Sequence, residues 1–517
     1  MIIPAYPAFN IYSRIARHTT ALGPVSVATV VSHLEGWDVE VIDENNYWRL
    51  GPRDVAGMPD HGTLQTIRRA DVAGLYGGLS STIPRLHQIA RFYRERGITT
   101  IAGGQHFVGD NIREALEQGV DFVVIGEGED SLRDLLESLR AGRDPSGVAG
   151  IAFLRDGALV RTGDRTPITD FDRLPLPDFG LLRYARVRLF PVGWIRGCGM
   201  DCEFCTVKGR PRPASVERVV GQVASAVERY GARSFFLVDD LFGHRRTETL
   251  RLCRLLADYQ KAIGIRLDIT VQIRLERAKD TEMLQAMRSA GINTVCVGFE
   301  SPIPEELDAM NKKLRPSDMV ALTRGYHVAG FRVHGMFIFG YPVPAGVRLA
   351  ASLQDRIRRF RSFVRKARID TIQVLLPVPL PGTALTARLG AQNRIFPRDC
   401  VGWEYYDGNF PLFMPDAPLS PGDMQMALRR IMGRFYRFRT MFAVGLNVLT
   451  FPAMVFAPWD IPAAWHRWHR AWQNNIMRFG GWILLRRWTS AFKAGDFAER
   501  LALAERRIGA GWGFRSP

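Results

Sequence analysis

The sequence predicts an α/β protein: a parallel, doubly wound sheet first, then a partial β/α barrel, then a mainly helical region. Three observations carry this. In the first 145 residues, short apolar runs end at glycine and alternate with helical stretches. A second βα series follows, with five or six units in about 200 residues, which suits a barrel or part of one. Beyond Leu389 strand patterns stop and helical patterns take over.

In chain order, a helix is expected over 24–34 and a strand over 39–43. A strand over 71–76 ends in Gly77-Gly78, and a helix over 84–96 leads to a strand over 98–102 that ends in Gly103-Gly104. A helix over 111–118 precedes a strand over 122–125 that ends in Gly126. Ligands of such sheets bind at the C-terminal strand ends, where glycine lets the backbone approach closely. Pro167, Pro175 and Pro177, among several Asp and Gly, mark a hairpin and linker. Strands are then expected over 235–238, 267–271, 294–298, 336–339 and 371–374. The expected divisions are 1–145, 146–185, 186–389 and 390–517.

Composition narrows the class. The chain has 517 residues, 46 % hydrophobic and 23 % charged, which excludes global disorder and allows three domains or so. Six cysteines in that length exclude a disulfide scaffold. Met1-Ile2-Ile3-Pro4 lacks the basic start and long apolar run of a signal peptide, so a cytoplasmic, reducing compartment is expected. There, clustered cysteines are metal ligands or catalysts rather than bridges.

The net charge is +17, and its location matters. From Pro421 onward there are 15 Lys and Arg against 5 Asp and Glu, and seven of the eleven Trp lie there, Trp459, Trp465 and Trp512 among them. Arg and Trp among apolar residues suit a lipid headgroup layer, so residues 440–517 are a candidate membrane-surface contact; the plain alternative is a helical region that caps the barrel bottom. No nucleic-acid motif accompanies the charge. The stretch 440–459 is uncharged and borderline for spanning a bilayer, but Asn447, Pro452 and Pro458 favour a shallow hairpin or a helix pair packed on the barrel.

The sharpest signal is Arg196-Gly197-Cys198-Gly199-Met200-Asp201-Cys202-Glu203-Phe204-Cys205, spaced C-x3-C-x2-C. A structural zinc site wants four ligands, and no fourth Cys or His lies nearby. Cys253, Cys296 and Cys400 sit in apolar contexts and read as buried thiols. Three close thiolates suit a cubane iron–sulfur cluster with one iron left open.

This loop resembles that of the radical S-adenosylmethionine (SAM) enzymes, and the resemblance continues along the barrel. It includes Phe236-Leu237-Val238-Asp239-Asp240, the polar strand end Gln272 and Arg274, Val297-Gly298-Phe299-Glu300-Ser301, the segment 334–342 and Pro379-Leu380-Pro381-Gly382-Thr383. It implies a 4Fe-4S cluster on Cys198, Cys202 and Cys205. The open iron would chelate SAM, and an electron from the cluster would release a 5′-deoxyadenosyl radical. Glu300 would meet a ribose hydroxyl, and Asp239 or Asp240 the SAM ammonium; strand-end carboxylates also cap helices.

The sheet ahead of the barrel resembles the cobalamin-binding subclass, with a flavodoxin-like or Rossmann-like domain. The residues are Leu22-Gly23-Pro24, Tyr76-Gly77-Gly78-Leu79-Ser80, Gly103-Gly104-Gln105-His106 and Gly126-Glu127-Gly128-Glu129, in the expected order. The likeness runs over about residues 20 to 435, through Tyr405-Tyr406-Asp407-Gly408 and Leu419-Ser420-Pro421. One departure is plain: no Asp is followed two residues on by His, so the element that supplies a cobalt-ligating His in methionine synthase-type domains is absent. His106 is a candidate pocket residue instead.

The resemblance implies three cofactors: a 4Fe-4S cluster, SAM and cobalamin. The leading expectation is methylation of an unactivated carbon in a hydrophobic small molecule or lipid. The alternative among enzymes is oxidation or ring closure, as in the anaerobic magnesium-porphyrin ester cyclase. An alternative of another class is a membrane-associated iron–sulfur binding protein without catalysis. A small one-electron donor such as flavodoxin or ferredoxin is the implied partner. The expected location is cytoplasmic, with peripheral attachment at the inner face of the membrane where residues 440–517 make that contact.

Overall fold

Hydrophobic runs too short to fold alone are stacked into parallel sheets by the helices between them. The computed structural model describes residues 1–48, 50–347, 349, 351–455 and 461–509. The first sheet holds β1 (Ile2–Ile3), β2 (Val41–Asp43), β3 (Val72–Tyr76), β4 (Thr99–Gly103), β5 (Phe122–Val124), β6 (Ile151–Arg155), β7 (Ala158–Arg161) and β8 (Leu182–Arg183). Its order is β7-β6-β5-β4-β3-β1-β2-β8, with β6 and β7 antiparallel and the rest parallel.

The two faces of this sheet follow the strand period of two. Ile101, Val124 and Ile151 meet Val31, Leu132 and Leu135 of the helices Leu22–Ser32 and Gly128–Arg140. Ala102, Val123 and Ala152 meet Leu86, Ile112 and Leu116 of the helices Ile83–Arg94 and Asp110–Glu117 on the other face. The central strand β1 carries no sequence signal, because two residues show no periodicity. Its place comes from pairing Ile2 with Ile42 and with Leu75. The segment read as hairpin and linker supplies β6, β7 and β8 to this sheet.

The second large sheet is parallel throughout and runs β9 (Leu189–Val192), β12 (Ser234–Phe242), β13 (Asp268–Ile273), β14 (Ile292–Glu300), β15 (Arg332–Ile338) and β16 (Thr371–Leu375) in that order. Sequential order with helical crossovers is the topology of an opened β/α barrel. Between β9 and β12, a small antiparallel ribbon pairs β10 (Ile195–Arg196) with β11 (Arg212–Pro213). This ribbon pinches off the cysteine loop at its base.

The C-terminal region is helical, as expected. The helix Pro421–Phe435 starts with a reciprocal Ser420–Asp423 cap. At its exit, Tyr436 Oη bonds both the amide and the carbonyl of Ile372 at the start of β16. The long helix Ile461–Ala494 crosses the barrel bottom: Arg470 reaches the Phe331 carbonyl and Arg478 those of Ile369 and Asp370, all at N-terminal strand ends. The helix Thr440–Val455 pairs antiparallel with it, through Trp468 Nε1 on the Asn447 carbonyl and Phe438 against Trp482. The described part of the uncharged stretch, Thr440–Val455, is thus one arm of a helix pair. Among the described residues no helix is long and apolar enough to cross a membrane. Trp488 is buried in the barrel core and Trp468 stacks on Trp472, so these indoles are used in packing. Trp459, Trp512 and the side chain of Trp465 lie outside the described residues.

Candidate functional site

The C-terminal edges of both large sheets open into one cleft. Arg196 of β10 pairs with Glu129 and, at 3.3 Å, with Glu127. Arg212 of β11 pairs with Glu127 at 2.8 Å. The ribbon at the base of the cysteine loop is therefore clamped onto the Gly126–Glu129 turn of the first sheet. Glu127 also accepts the Ile168 amide at 2.6 Å. Burial opposes its charge, but Arg212, that amide and Arg196 together hold its pKa below the usual carboxylate value. The Glu127 carboxylate is spent on this clamp.

The loop itself is held at both ends and in the middle. Gly197 and Gly199 have φ of 86° and 70°, the left-handed region that favours glycine. Glu203 accepts from Arg388 at 2.6 Å and from the Tyr341 hydroxyl at 2.6 Å. Asn311 donates to the Asp201 carbonyl and Lys208 to that of Cys202. Cys202 is buried, while Cys198 and Cys205 are half-buried. The Val207 amide donates to Cys205 Sγ at 3.3 Å.

Around these thiols lie the polar barrel residues. Arg274, just past β13, bonds Glu276 and touches Met200 Sδ at 3.5 Å. The Glu276 hydrogen bond first, and then Cys198 and Cys202, raise the Arg274 pKa. Glu300 closes β14 in the left-handed region, φ 58°, and is buried. Lys312 donates to it at 2.7 Å. Burial opposes the Lys312 charge, but Glu300, Cys202 and Cys198 outweigh it and raise its pKa. A Cβ at Gly298 would sit 2.5 Å from Glu300 Oε1, so glycine there makes the room this pair occupies. Gln272 lies half-buried on the strand face opposite the core residues Val271 and Ile273. Asp239 Oδ1 accepts the amides of Trp194 and Ile195 at 2.8 and 3.0 Å, tying β12 to the ribbon. The side chain of Asp240 lies outside the described residues.

Two cavities complete the cleft. One of about 540 Å³ is lined by Gly103, Gly104, Gly126, Glu127 and Gly128 from the first sheet and by Gly197, Thr206 and Asp239 from the barrel side. Gly104 has φ 135°, and a Cβ there would lie 2.5 Å from the Gly77 carbonyl carbon. The other, about 340 Å³, is lined by Gly78, Ser80, His106, Leu380, Tyr406 and Asp407. Gln105 and Thr206 line both, and Thr206 Oγ1 bonds Gln105 Oε1 at 3.4 Å. His106 is buried, with Nδ1 on the Ser80 hydroxyl at 2.9 Å and its ring edge-on to Trp403. Burial, then His87 and Arg398, push its pKa down to about 3, so the imidazole is neutral. Gly77 and Gly78 leave space for the Phe107 and Tyr76 rings.

The donor set can be tested against the cofactors the resemblance implies. Among the described residues no three His, Cys, Asp or Glu converge as a ligand set for a single metal ion. Three sulfur-only donors on one loop, with Arg274 and Lys312 beside them, match a larger anionic iron–sulfur group. The glycine-lined cavity at the strand ends suits a ligand too large for side chains to share the space. The sequence named the cysteines, Glu300, Arg274 and the glycines. It did not name Lys312, Glu129, Arg196 or Arg212 as partners, because nothing local in those residues signals a contact from another element.

Residues 192–344 match the radical SAM superfamily model. The chain is 28 % identical over 326 residues to the hopanoid C-2 methylase of Rhodopseudomonas palustris, covering 59 % of this chain and 58 % of the relative. It is 25 % identical over 358 residues to the anaerobic magnesium-protoporphyrin IX monomethyl ester cyclase of Rubrivivax gelatinosus, covering 66 % and 60 %. The chain spans about three fifths of the length of these curated relatives. In fold it is similar to the radical SAM methyltransferase TsrM of Kitasatospora setae, solved with cobalamin and an iron–sulfur cluster bound: TM-score 0.64, 17 % identity, 92 % of this chain and 98 % of that one. The match places a radical SAM domain within residues 192–344 of the chain. With the doubly wound sheet ahead of that domain, its overall fold is similar to that of this cobalamin-bound enzyme.

Proposed function

We propose that the chain is a cobalamin-dependent radical SAM enzyme that methylates an unactivated carbon of a hydrophobic small molecule or lipid. The observation that carries this reading is the clamp of Arg196 and Arg212 on Glu127 and Glu129. It sets the cysteine loop against a glycine-lined cavity at the strand ends of the first sheet. Cys198, Cys202 and Cys205 would hold a 4Fe-4S cluster. Asp239, Gln272, Arg274 and Glu300 flank the SAM position. Gly103, Gly126 and Gly128 would make room for the corrinoid, with Gly104 packed on the Gly77 backbone, Gly77 and Gly78 on the Phe107 and Tyr76 rings, and His106 beside them. When bound, the cluster supplies the electron that cleaves SAM, and cobalamin carries the methyl group. Lys312 and Arg274 balance the negative charge of the thiolates, and Lys312 holds Glu300 as an acceptor for a hydroxyl. Glu203, with Arg388 and Tyr341, fixes the loop.

Two finer points belong to the same proposal. A small one-electron donor of the flavodoxin or ferredoxin kind reduces the cluster. The substrate is met at the inner face of a membrane, where the exposed apolar side of the helix Thr440–Val455 rests. A second reading, oxidation or ring closure without methyl transfer, is favoured by the likeness to the cyclase.

The test begins with anaerobic purification from cells supplied with cobalamin, followed by iron and corrinoid assay and turnover with methyl-labelled SAM. One cluster and one corrinoid per chain, with label in an extracted lipid product, is the expected result. A cluster without corrinoid overturns the reading. A corrinoid with SAM cleavage but no label transfer moves it to the cyclase-like alternative.

A further inference from the structure

On the outer wall of the barrel, away from the cleft, seven of the thirteen residues that line one groove are arginine, Arg478 of the helix Ile461–Ala494 among them. The helix Leu353–Lys366 spaces Arg358, Arg361 and Arg365 three and four residues apart, so they share one face, and Arg368 follows its end. Arg434 and Arg437, from the last turn and exit of Pro421–Phe435, face them across a cavity of about 790 Å³. No Asp or Glu lines it.

In the cleft, Arg196, Arg212 and Arg388 each meet carboxylates. Here Asp355 takes Arg358 at 2.8 Å, whereas Arg361, Arg365, Arg368, Arg434 and Arg437 have no carboxylate within 4.0 Å among the described residues. Partial burial, then the guanidinium groups of Arg434, Arg439 and Arg361, lower the Arg437 pKa. Like charges at these helical spacings oppose folding, so the fold itself gains nothing from the cluster. The pattern is complementary to phosphate, which planar guanidinium groups bind in bidentate fashion.

The second observation is the neighbouring helix. Directly after Arg437 the chain exposes Phe438, Phe442, Leu446 and Leu449, the last three 66, 62 and 76 % accessible. Thr440–Val455 has 16 residues. At ~1.5 Å per residue it is about 24 Å long, short of a hydrocarbon core of ~30 Å, so it suits lying on a bilayer rather than crossing it. A basic cluster beside an apolar helix supplies the two signals that stable peripheral attachment requires. An RNA groove would offer rings for base stacking, but Phe435 here is already covered by Arg478 at 4.8 Å.

We infer that the arginine groove between Leu353–Lys366 and Pro421–Phe435 binds the phosphate headgroups of anionic lipid and orients Thr440–Val455 on the membrane surface. This rests on the membrane placement proposed above.

The test is flotation of the full, anaerobically purified chain with phosphatidylcholine vesicles, with and without phosphatidylglycerol. The expected result is salt-sensitive binding to the phosphatidylglycerol vesicles alone. The triple variant Arg361→Glu, Arg365→Glu, Arg434→Glu should weaken it at least about tenfold, and its milder Gln counterpart should weaken it less. Unchanged iron content and far-ultraviolet dichroism show that the variants fold. The double variant Phe442→Ser, Leu449→Ser tests the helix separately. If the triple variant floats like the wild type while the helix variant does not, the groove assignment falls and the membrane placement stands. If the wild type floats with neither vesicle, both fall. If a short RNA binds the wild type, the triple variant loses it and vesicle binding persists, the groove serves RNA and the inference is overturned.

Discussion

The two parallel sheets turn their C-terminal edges toward one cleft but finish those edges in opposite ways. The first ends its strands in glycine: Gly103, Gly104 and Gly126 leave bare backbone around a cavity of about 540 Å³. The barrel ends its strands in charge: Asp239, Arg274 and Glu300, with Lys312 added from a following turn. A bare edge makes room for a large ligand, whereas a charged edge positions a small one and balances the charge of a metal group. The same topology therefore presents two kinds of edge, decided by which residue ends or follows each strand.

Substitutions at the two edges should behave differently, and the largest effect lies on the barrel side. Cys202→Ala removes a buried sulfur donor from the loop. Anaerobic iron analysis should show the cluster lost and SAM cleavage abolished, while corrinoid is still retained by the first sheet. If cluster and corrinoid are lost together, the two edges are not independent.

Gly104→Val strikes the other edge. The φ of 135° and the 2.5 Å approach to Gly77 leave no space for a side chain. A cost of roughly 1–3 kcal/mol in stability is expected, with corrinoid content falling and iron content kept. A variant that keeps its corrinoid would remove this glycine from the pocket.

Lys312→Met leaves the buried Glu300 carboxylate without its cation. Where Glu300 meets SAM as proposed, losing its ion-pair partner should weaken SAM binding by about 10–100-fold in equilibrium dialysis. Glu300→Gln with Lys312→Met should recover part of it, because no charge is then stranded.

The smaller cavity gives a pH test. Asp407 Oδ1 accepts the Asn409 amide, but Oδ2 has no partner among the described residues. Burial pushes its pKa up from 3.8 to about 7. A carboxyl whose folded pKa is raised is unstrained while protonated. Its ionisation cost grows as pH rises from about 4 and is complete above about 7. Asp407→Asn should therefore gain stability over the wild type between pH 5 and pH 8, by roughly 1–3 kcal/mol in denaturant unfolding. A constant difference across that range would mean Asp407 is ionised throughout.

The smallest effect is expected at His106. Its imidazole is neutral and its Nδ1 is taken by Ser80. His106→Gln should leave the spectrum of bound corrinoid unchanged, whereas a shift would make it a cobalt ligand.

How much of this was legible beforehand depends on the distance over which each signal acts. Strand ends with glycine pairs, the three cysteines, and the order of βα units are local, and the expected strands fall within a few residues of β3, β4, β5 and β12 to β16. The strand β1 was not legible, since its two residues become a strand only between Ile42 and Leu75. The tail was half legible. Its helices and charge were expected, but which indoles are buried and which arginines converge depends on helices far apart in sequence.

By itself, then, the sequence determined the α/β class, the three-cysteine loop with its radical SAM likeness, and the glycine-ended strands, because each is written in residues adjacent along the chain. Only the tertiary structure decided that Glu127 and Glu129 serve as a clamp for Arg196 and Arg212, that Lys312 holds Glu300, and that arginines from three separate helices share a groove. These are charge pairings and charge clusters between elements dozens of residues apart. No local pattern encodes them, and only the packing of the sheets and helices brings them within reach.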